Sequence, residues 1–377
     1  MSAELAMPAV PPIGVRDRFA AAYGVLGAAV AQRAFPGCAF GVLAGGEVVL
    51  QDALGRFTYD ATSPAVMPET KYDVASLTKV AATTTAAMLM YQRGQLDLEM
   101  PVAELLPGFV VGRPPGTGAR HVTLRHLLAH SSGLPGYVEF FRSAHTPAAL
   151  FRNCLELDFV AQPGQRAEYS DPGFILLGKA LEVLMQEGLA NWTRREIFHR
   201  LELSATGFTP FGYLAPGIPP TEHDTTFRNR IIQGEVQDEN AFVLGGVGGH
   251  AGLFSNVPDL LRFANEVLRA VRTKTDTGST GLFTSTTVEC FAERQKPEGS
   301  SRALGWDTPS EDSSAGRHFS SRSIGHLGYS GCSLWIDLVA DIAVVLLTNR
   351  TWPDRQNQAI KQIRPAFHDA VREALNT

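Results

Sequence analysis

A chain of 377 residues, 44% hydrophobic and 19% charged, can bury a large core and is long enough for two domains or for one domain with a large insertion. Its 33 basic and 38 acidic residues leave a net charge of −5, and no basic tract or aromatic-interleaved basic patch is present, so nucleic acid is excluded as an expected partner. The four cysteines, Cys38, Cys154, Cys290 and Cys332, are far apart and form no C-x-x-C, which argues for reduced, mostly buried thiols rather than a zinc site or a disulfide framework.

In chain order, residues 1–13 read as a Pro-rich flexible tail. The stretch "MSAELAMPAVPPIG" has an early acidic residue and no apolar h-region, and no later run is long enough to span a bilayer. A soluble, cytoplasmic protein without a membrane span is the expectation. Helical spacing of apolar residues covers Val15 to Phe35. "GCAFGVLAGGEVVLQDALG" (37–55) reads as two strands joined at Gly-Gly, and a helix is expected from Ser76 to Arg93.

A helical, loop-rich middle follows. It contains "VTLRHLLAHSSGLPG" (122–136) with Thr123 as a helix cap, "DPGFILLGKALEVLMQEG" (171–188) with Pro172 near its start, and the amphipathic "NVPDLLRFANEVLRAVR" (256–272). The loops 205–221 and 244–252 are rich in Gly and Pro, and "EDSSAGRHFSSRS" (311–323) reads as an exposed loop. "CSLWIDLVADIAVVLLTN" (332–349) predicts two strands around Ala340-Asp341, and 353–375 a closing helix broken or kinked near Pro365. The expected fold is therefore α+β, with an antiparallel sheet from both chain ends, flanked by the terminal helices. Residues 14–75 and 300–377 would form a discontinuous sheet domain and 76–299 a mainly helical one, with the active site at their interface.

Three motifs fail on inspection. "GVGGHA" (246–251) imitates a dinucleotide loop but lacks a preceding parallel strand and a ribose-binding acid. His126 and His130 are four apart without the Glu of H-E-x-x-H. "GYSGC" (328–332) is not G-x-S-x-G, because Cys332 holds the last position.

"YDVASLTKVAATTTAAML" (72–89) puts Ser76 three residues before Lys79 at the mouth of an apolar helix. The plain interpretation is a Ser cap with a Lys in the first turn. The chemical one is that i and i+3 share a face, so Lys79 can reach Ser76 Oγ, while free N–H groups at the helix start can hold an oxyanion. A serine hydroxyl needs a base. Lowering the pKa of Lys79 from about 10.4 toward 7 would cost roughly 4 kcal/mol, so a charged lysine serving a second base is the alternative.

This segment resembles the first motif of the serine β-lactamase and penicillin-binding-protein superfamily, above all the branch with the class C β-lactamase fold, which includes carboxylesterases and D-peptidases. The second and third motifs of that family, Tyr-x-Asn and Lys/His-x-Gly, are matched in order by Tyr169-Ser170-Asp171 and His326-Leu327-Gly328. The 122–136 segment and "GGHAGLFSNVPDLLRF" also resemble its connecting segments, and the likeness spans most of 37–350. The resemblance implies Ser76 as nucleophile, Tyr169 as base, directly or through Lys79, and an oxyanion hole from the N–H groups of Ser76 and Tyr329. Gly328 would admit the substrate closely. The Tyr169 pKa is expected to fall beside the lysine cation. Glu168 and His250 lie in family-like segments without an assigned role.

Two departures bear on substrate. Asp171 replaces the usual Asn, cannot donate to a substrate amide when ionised, and should pair with Lys79 and keep it charged. His326 replaces the lysine of true β-lactamases, and histidine is mostly neutral at pH 7. Both suit an uncharged ester, so the expected activity is a carboxylesterase on small or medium acyl esters, requiring no metal or cofactor. The alternatives are a D-Ala-D-Ala carboxypeptidase, D-aminopeptidase or weak β-lactamase, and a non-catalytic ligand-binding module of the same fold.

Overall fold

The computed structural model describes residues 14–114, 116–208, 217–274, 281–297 and 299–376; the expected tail at 1–13 lies outside them. Its frame is a five-stranded sheet of β1 (Gly37–Ala44), β2 (Glu47–Gly55), β3 (Ser323–Leu327), β4 (Ser333–Asp337) and β5 (Ile342–Thr348), in the order β2-β1-β5-β4-β3. Every pairing is antiparallel, with Gly41 opposite Val345, Val344 opposite Trp335 and His326 opposite Leu334. The fold is α+β, with strands contributed by both ends of the sequence.

Helices α1 (Ala20–Ala31), α2 (Thr85–Gln92), α3 (Asp171–Met185), α4 (Val257–Thr273) and α5 (Ile360–Leu375) are the longest or best placed. The sheet is covered on both faces, which is why β5 reads as a continuous apolar run rather than an alternating one. Phe19 and Leu26, before and on α1, pack with Phe40 of β1 and Phe367 of α5 on one face. On the other face α4 lies so close that a Cβ at Gly41 would meet Val257 Cγ1 at 2.6 Å. Short helices and two small sheets fill the middle, among them Tyr72–Asp73 paired with Leu253–Ser255 beside the site. Strands of two or three residues leave no period to read.

Four elements depart from expectation. The first helix is interrupted at Phe19, which is fully buried. The 76–93 helix starts after Ser76, and Lys79–Thr84 forms a wide π turn before α2. There Thr85 Oγ1 donates to Val80 O at 2.8 Å, a side-chain bond that competes with the ordinary backbone ladder. The closing helix begins only at Ile360 and runs through Pro365 without a break. In the 311–323 segment Ala315 and Phe319 are buried, Phe319 against Trp335. Thr123 does cap its helix, in a reciprocal capping box with His126.

Cys38, Cys154, Cys290 and Cys332 are free thiols, the first two and the last buried. Among the described residues no helix is long and apolar enough to cross a membrane.

Candidate active site

A pocket of about 970 Å³ opens beside Ser76, and Tyr137, Tyr169, Arg302, Tyr329 and Arg355 are among its walls. Ser76 sits between the Tyr72–Asp73 strand and the π turn. Ala75 before it is left-handed (φ 48°), a conformation that costs a non-glycine residue on the order of 1 kcal/mol or more. Asp73 holds that bend: its carboxylate accepts the Ala75 N–H at 2.8 Å and the Gln237 N–H at 2.7 Å. Burial pushes this carboxyl up to about 6.

Lys79 is fully buried, and its three ammonium donors have three acceptors. They reach Ser76 Oγ at 3.1 Å, Asp171 Oδ1 at 2.6 Å and the His250 carbonyl at 3.0 Å. Burial alone would lower its pKa, but Asp171 and then Tyr169 outweigh burial, and the ammonium lies above its ordinary value. The lysine is therefore a fixed cation. Asp171 is free to hold it because the capping is done elsewhere: Ser170, not Asp171, caps α3, accepting the Gly173 N–H at 3.1 Å.

Tyr169 faces the same centre, with Lys79 Nζ 4.8 Å from its ring centroid and the lysine charge favouring its phenolate. Burial dominates nonetheless, and its pKa is raised. The fall expected from the neighbouring cation is thus reversed, because desolvation of a phenolate costs more here than Lys79 returns.

Two neutral histidines back the tyrosine. His326 is buried, and its Nδ1 donates to the Leu327 carbonyl at 2.8 Å, which puts the proton on Nδ1. Nδ1 of His130 accepts the Ser170 N–H at 2.9 Å, and its ring lies 4.6 Å from that of Tyr169. Burial, then nearby cations including Lys79 and Arg302, hold both far below the ordinary histidine pKa. Among the described residues neither Nε2 has a hydrogen-bond partner.

Gly328 is where the β3 end meets the nucleophile strand: a Cβ there would come within 2.5 Å of the Val74 carbonyl. Ser330 Oγ donates to the Asp73 carbonyl at 2.8 Å and stitches the same two segments together. Among the described residues the backbone N–H groups of Ser76 and Tyr329 have no protein acceptor, which leaves both to a ligand.

All seven expected residues, Ser76, Lys79, Tyr169, Asp171, His326, Gly328 and Tyr329, line this pocket or, in the case of Lys79, bond to its wall. Three others were not read from sequence as part of it. His250 supplies a carbonyl ligand to Lys79, and its ring meets Asp238 Oδ1 at 2.9 Å. The rejected "GVGGHA" loop places it there, for Gly249 packs where a Cβ would strike the Phe174 carbonyl at 2.2 Å. His130 lies past the end of the helix that bears His126, and the Gly133 turn after it was the available signal. Arg302 sits 5.2 Å from the Tyr169 ring and lies within 3.6 Å of Asp307; no local pattern marks it. Among the described residues no cluster of three or more His, Cys, Asp or Glu could hold a metal.

A family model described as Beta-lactamase matches residues 24–366. The chain is 30% identical over 353 residues to an N-acetylmuramyl-L-alanine amidase of Bacillus subtilis (strain 168), covering 84% of this chain and 77% of the relative. It is 30% identical over 344 residues to a Salmonella typhimurium protein named "Putative D-alanyl-D-alanine carboxypeptidase", covering 82% and 77%. The solved structure of a hydrolase with promiscuous acyltransferase activity superposes with a TM-score of 0.77 at 22% identity, covering 96% of this chain and all of that one.

Proposed function

The chain belongs to the Beta-lactamase family of serine hydrolases, and from that premise we propose that it is a carboxylesterase acting on small or medium acyl esters through an acyl-enzyme on Ser76. The observation that carries this reading is the pair of departures in the second and third motifs. Asp171 is spent on Lys79 at 2.6 Å, and His326 is a buried neutral ring. Neither offers a substrate the amide donor or the fixed charge that an anionic amide would use.

In this mechanism Ser76 Oγ attacks the ester carbonyl, whose oxygen turns toward the Ser76 and Tyr329 N–H groups. Tyr169 is a phenol at rest, so it acts as a relay. Its oxygen takes the Ser76 proton as its own proton passes to the leaving alkoxide, and no net charge is left on the ring. Lys79 keeps its proton throughout and orients the Ser76 hydroxyl. Water then attacks the acyl-enzyme, gives its proton to Tyr169, and the proton returned by Tyr169 restores the Ser76 hydroxyl.

One observation favours a second reading. Arg302 puts a cation near His326, where a substrate carboxylate could be received, and the two curated relatives carry amidase and carboxypeptidase names. The deciding experiment is a panel of short-chain p-nitrophenyl esters, a D-Ala-D-Ala peptide and a chromogenic cephalosporin, run on the wild type and Ser76→Ala. Ester turnover lost in Ser76→Ala, with little peptide or cephalosporin turnover, is the expected result. Efficient peptide or cephalosporin hydrolysis without ester turnover would overturn the ester reading in favour of the second.

A further inference from the structure

The turn from Gly328 to Cys332 carries the Tyr329 N–H, and each of its carbonyls is held from behind. Arg364 Nη2 donates to Gly328 O at 2.6 Å and to Cys332 O at 2.8 Å, and Arg364 Nε to Gly331 O at 3.2 Å. Arg350 Nε donates to Tyr329 O at 2.8 Å, and the Arg350 backbone N–H to Ser330 O at 2.9 Å. The Arg350 guanidinium also stacks on the Tyr329 ring, 4.4 Å from its centroid.

The Gly328–Tyr329 peptide is planar and trans, so its C=O and N–H point in opposite directions. A guanidinium that fixes the Gly328 carbonyl at 2.6 Å on one side therefore fixes the direction of the Tyr329 N–H on the other. A hydrogen bond to a peptide oxygen also polarises that peptide's N–H and makes it a better donor. Both arginines are buried, at 6% and 4% exposure, and among the described residues neither has a carboxylate within ion-pair distance, the nearby Glu222 and Glu239 being paired with Arg355. Burial pushes Arg364 down to about 10, which leaves it charged at neutral pH. Both guanidiniums donate to carbonyls, and the acid that acts on Arg350, Glu222, does so from a distance and is itself paired with Arg355, so much of their charge reaches the turn.

We propose that Arg364 and Arg350 are positioning residues for acyl transfer, clamping the 328–332 carbonyls so that the Tyr329 N–H faces the developing oxyanion with two cations behind it. This rests on the acyl-enzyme reading above. Arg364→Lys keeps the charge but cannot hold three carbonyls with one planar fork. The measurements are kcat and KM for a p-nitrophenyl ester, and inhibition by phenylboronic acid, which forms a tetrahedral adduct on an active-site serine.

Misaiming one oxyanion donor predicts a kcat about 100-fold lower. KM should stay within about threefold and boronate affinity should fall roughly in step with kcat, since only the tetrahedral species uses the hole. Arg350→Lys lies outside α5 and reads the same effect through the Tyr329 carbonyl, with a smaller loss of about fivefold. Unchanged kcat in both variants, or a kcat loss with unaltered boronate affinity, overturns the clamp. Wild-type turnover that survives Ser76→Ala overturns the acyl-enzyme reading itself, an outcome that the arginine variants cannot produce.

Discussion

Two groups of buried cations flank Ser76, and they are neutralised in opposite ways. On one side Lys79 meets a carboxylate, a hydroxyl and a carbonyl, one for each of its protons. On the other, the guanidiniums of Arg350 and Arg364 donate their hydrogen bonds to carbonyls. A cation beside a carboxylate has a fixed protonation state and little field left over, which suits a group that orients a proton relay. A cation held only by dipoles keeps its field, which suits a group behind an oxyanion hole. The contrast shows how one pocket can use like charges for different ends by choosing their partners.

The largest test removes the partner on the lysine side. Asp171→Asn leaves a fully buried ammonium with only neutral acceptors, and breaking a buried ion pair costs about 3 kcal/mol. The sign of the pH effect follows from the raised Lys79 pKa. A group whose pKa is raised in the fold gives stability that is complete below its unfolded value and lost as pH rises through the folded one. Without Asp171 that loss moves to lower pH. We expect a lower urea midpoint at pH 7 and an alkaline limb of the kcat profile displaced toward neutrality. If activity at neutral pH instead rose, Lys79 would be acting as a free base and the comparison would collapse on its lysine side.

Much of this frame was legible in the sequence, and what was not has physical causes. The strands β1, β2, β4 and β5 and the helices α3 and α4 were readable because their apolar residues repeat over many positions, whereas the short β3, Ser323–Leu327, interrupts its apolar residues with Gly325 and His326 and was not. Ser76, Lys79, Tyr169, Asp171 and His326 were readable because each lies in a local motif. Arg302, Arg350 and Arg364 were not, because their partners are carbonyls, rings or acids brought near by the fold, and a carbonyl leaves no mark in a sequence. The Tyr169 expectation failed for a related reason. A neighbouring cation can be inferred from spacing, but the burial that outweighs it depends on His130 and Phe174 packed around Lys79 and Tyr169. The cap of α3 is Ser170, and that is what leaves Asp171 free for Lys79.

A smaller test probes the arginine side. His368 follows Arg364 by one helical turn, is fully buried, and is held down to about 4 by burial and by that arginine's charge. A depressed histidine pKa gives stability that is complete above the unfolded value near 6.5 and lost as pH falls through the folded one. Asp73, raised to about 6, works in the opposite direction, so the measurement is a difference between proteins. Between pH 7 and pH 4.5 the wild type should lose roughly 2 kcal/mol more stability to urea than His368→Gln does. Equal losses would mean that a third cation beside Arg364 costs little, and that the field there is already screened.

The smallest expected effect separates scaffold from chemistry on the lysine side. Ser170 Oγ accepts the Gly173 N–H at 3.1 Å and donates to the Pro135 carbonyl at 2.7 Å, so it both caps α3 and ties it to the preceding loop. Ser170→Ala should cost about 1 kcal/mol, the usual price of a lost cap, seen as a lower melting temperature. Asp171 would still be anchored through its own N–H to the Gly136 carbonyl at 2.9 Å, and Lys79 would keep all three acceptors. Ester turnover should therefore stay within about threefold of wild type. If kcat fell as far as in Asp171→Asn, the placement of Asp171 would depend on the cap rather than on Lys79. The ion pair would then be a consequence of the helix start instead of the feature that organises the site.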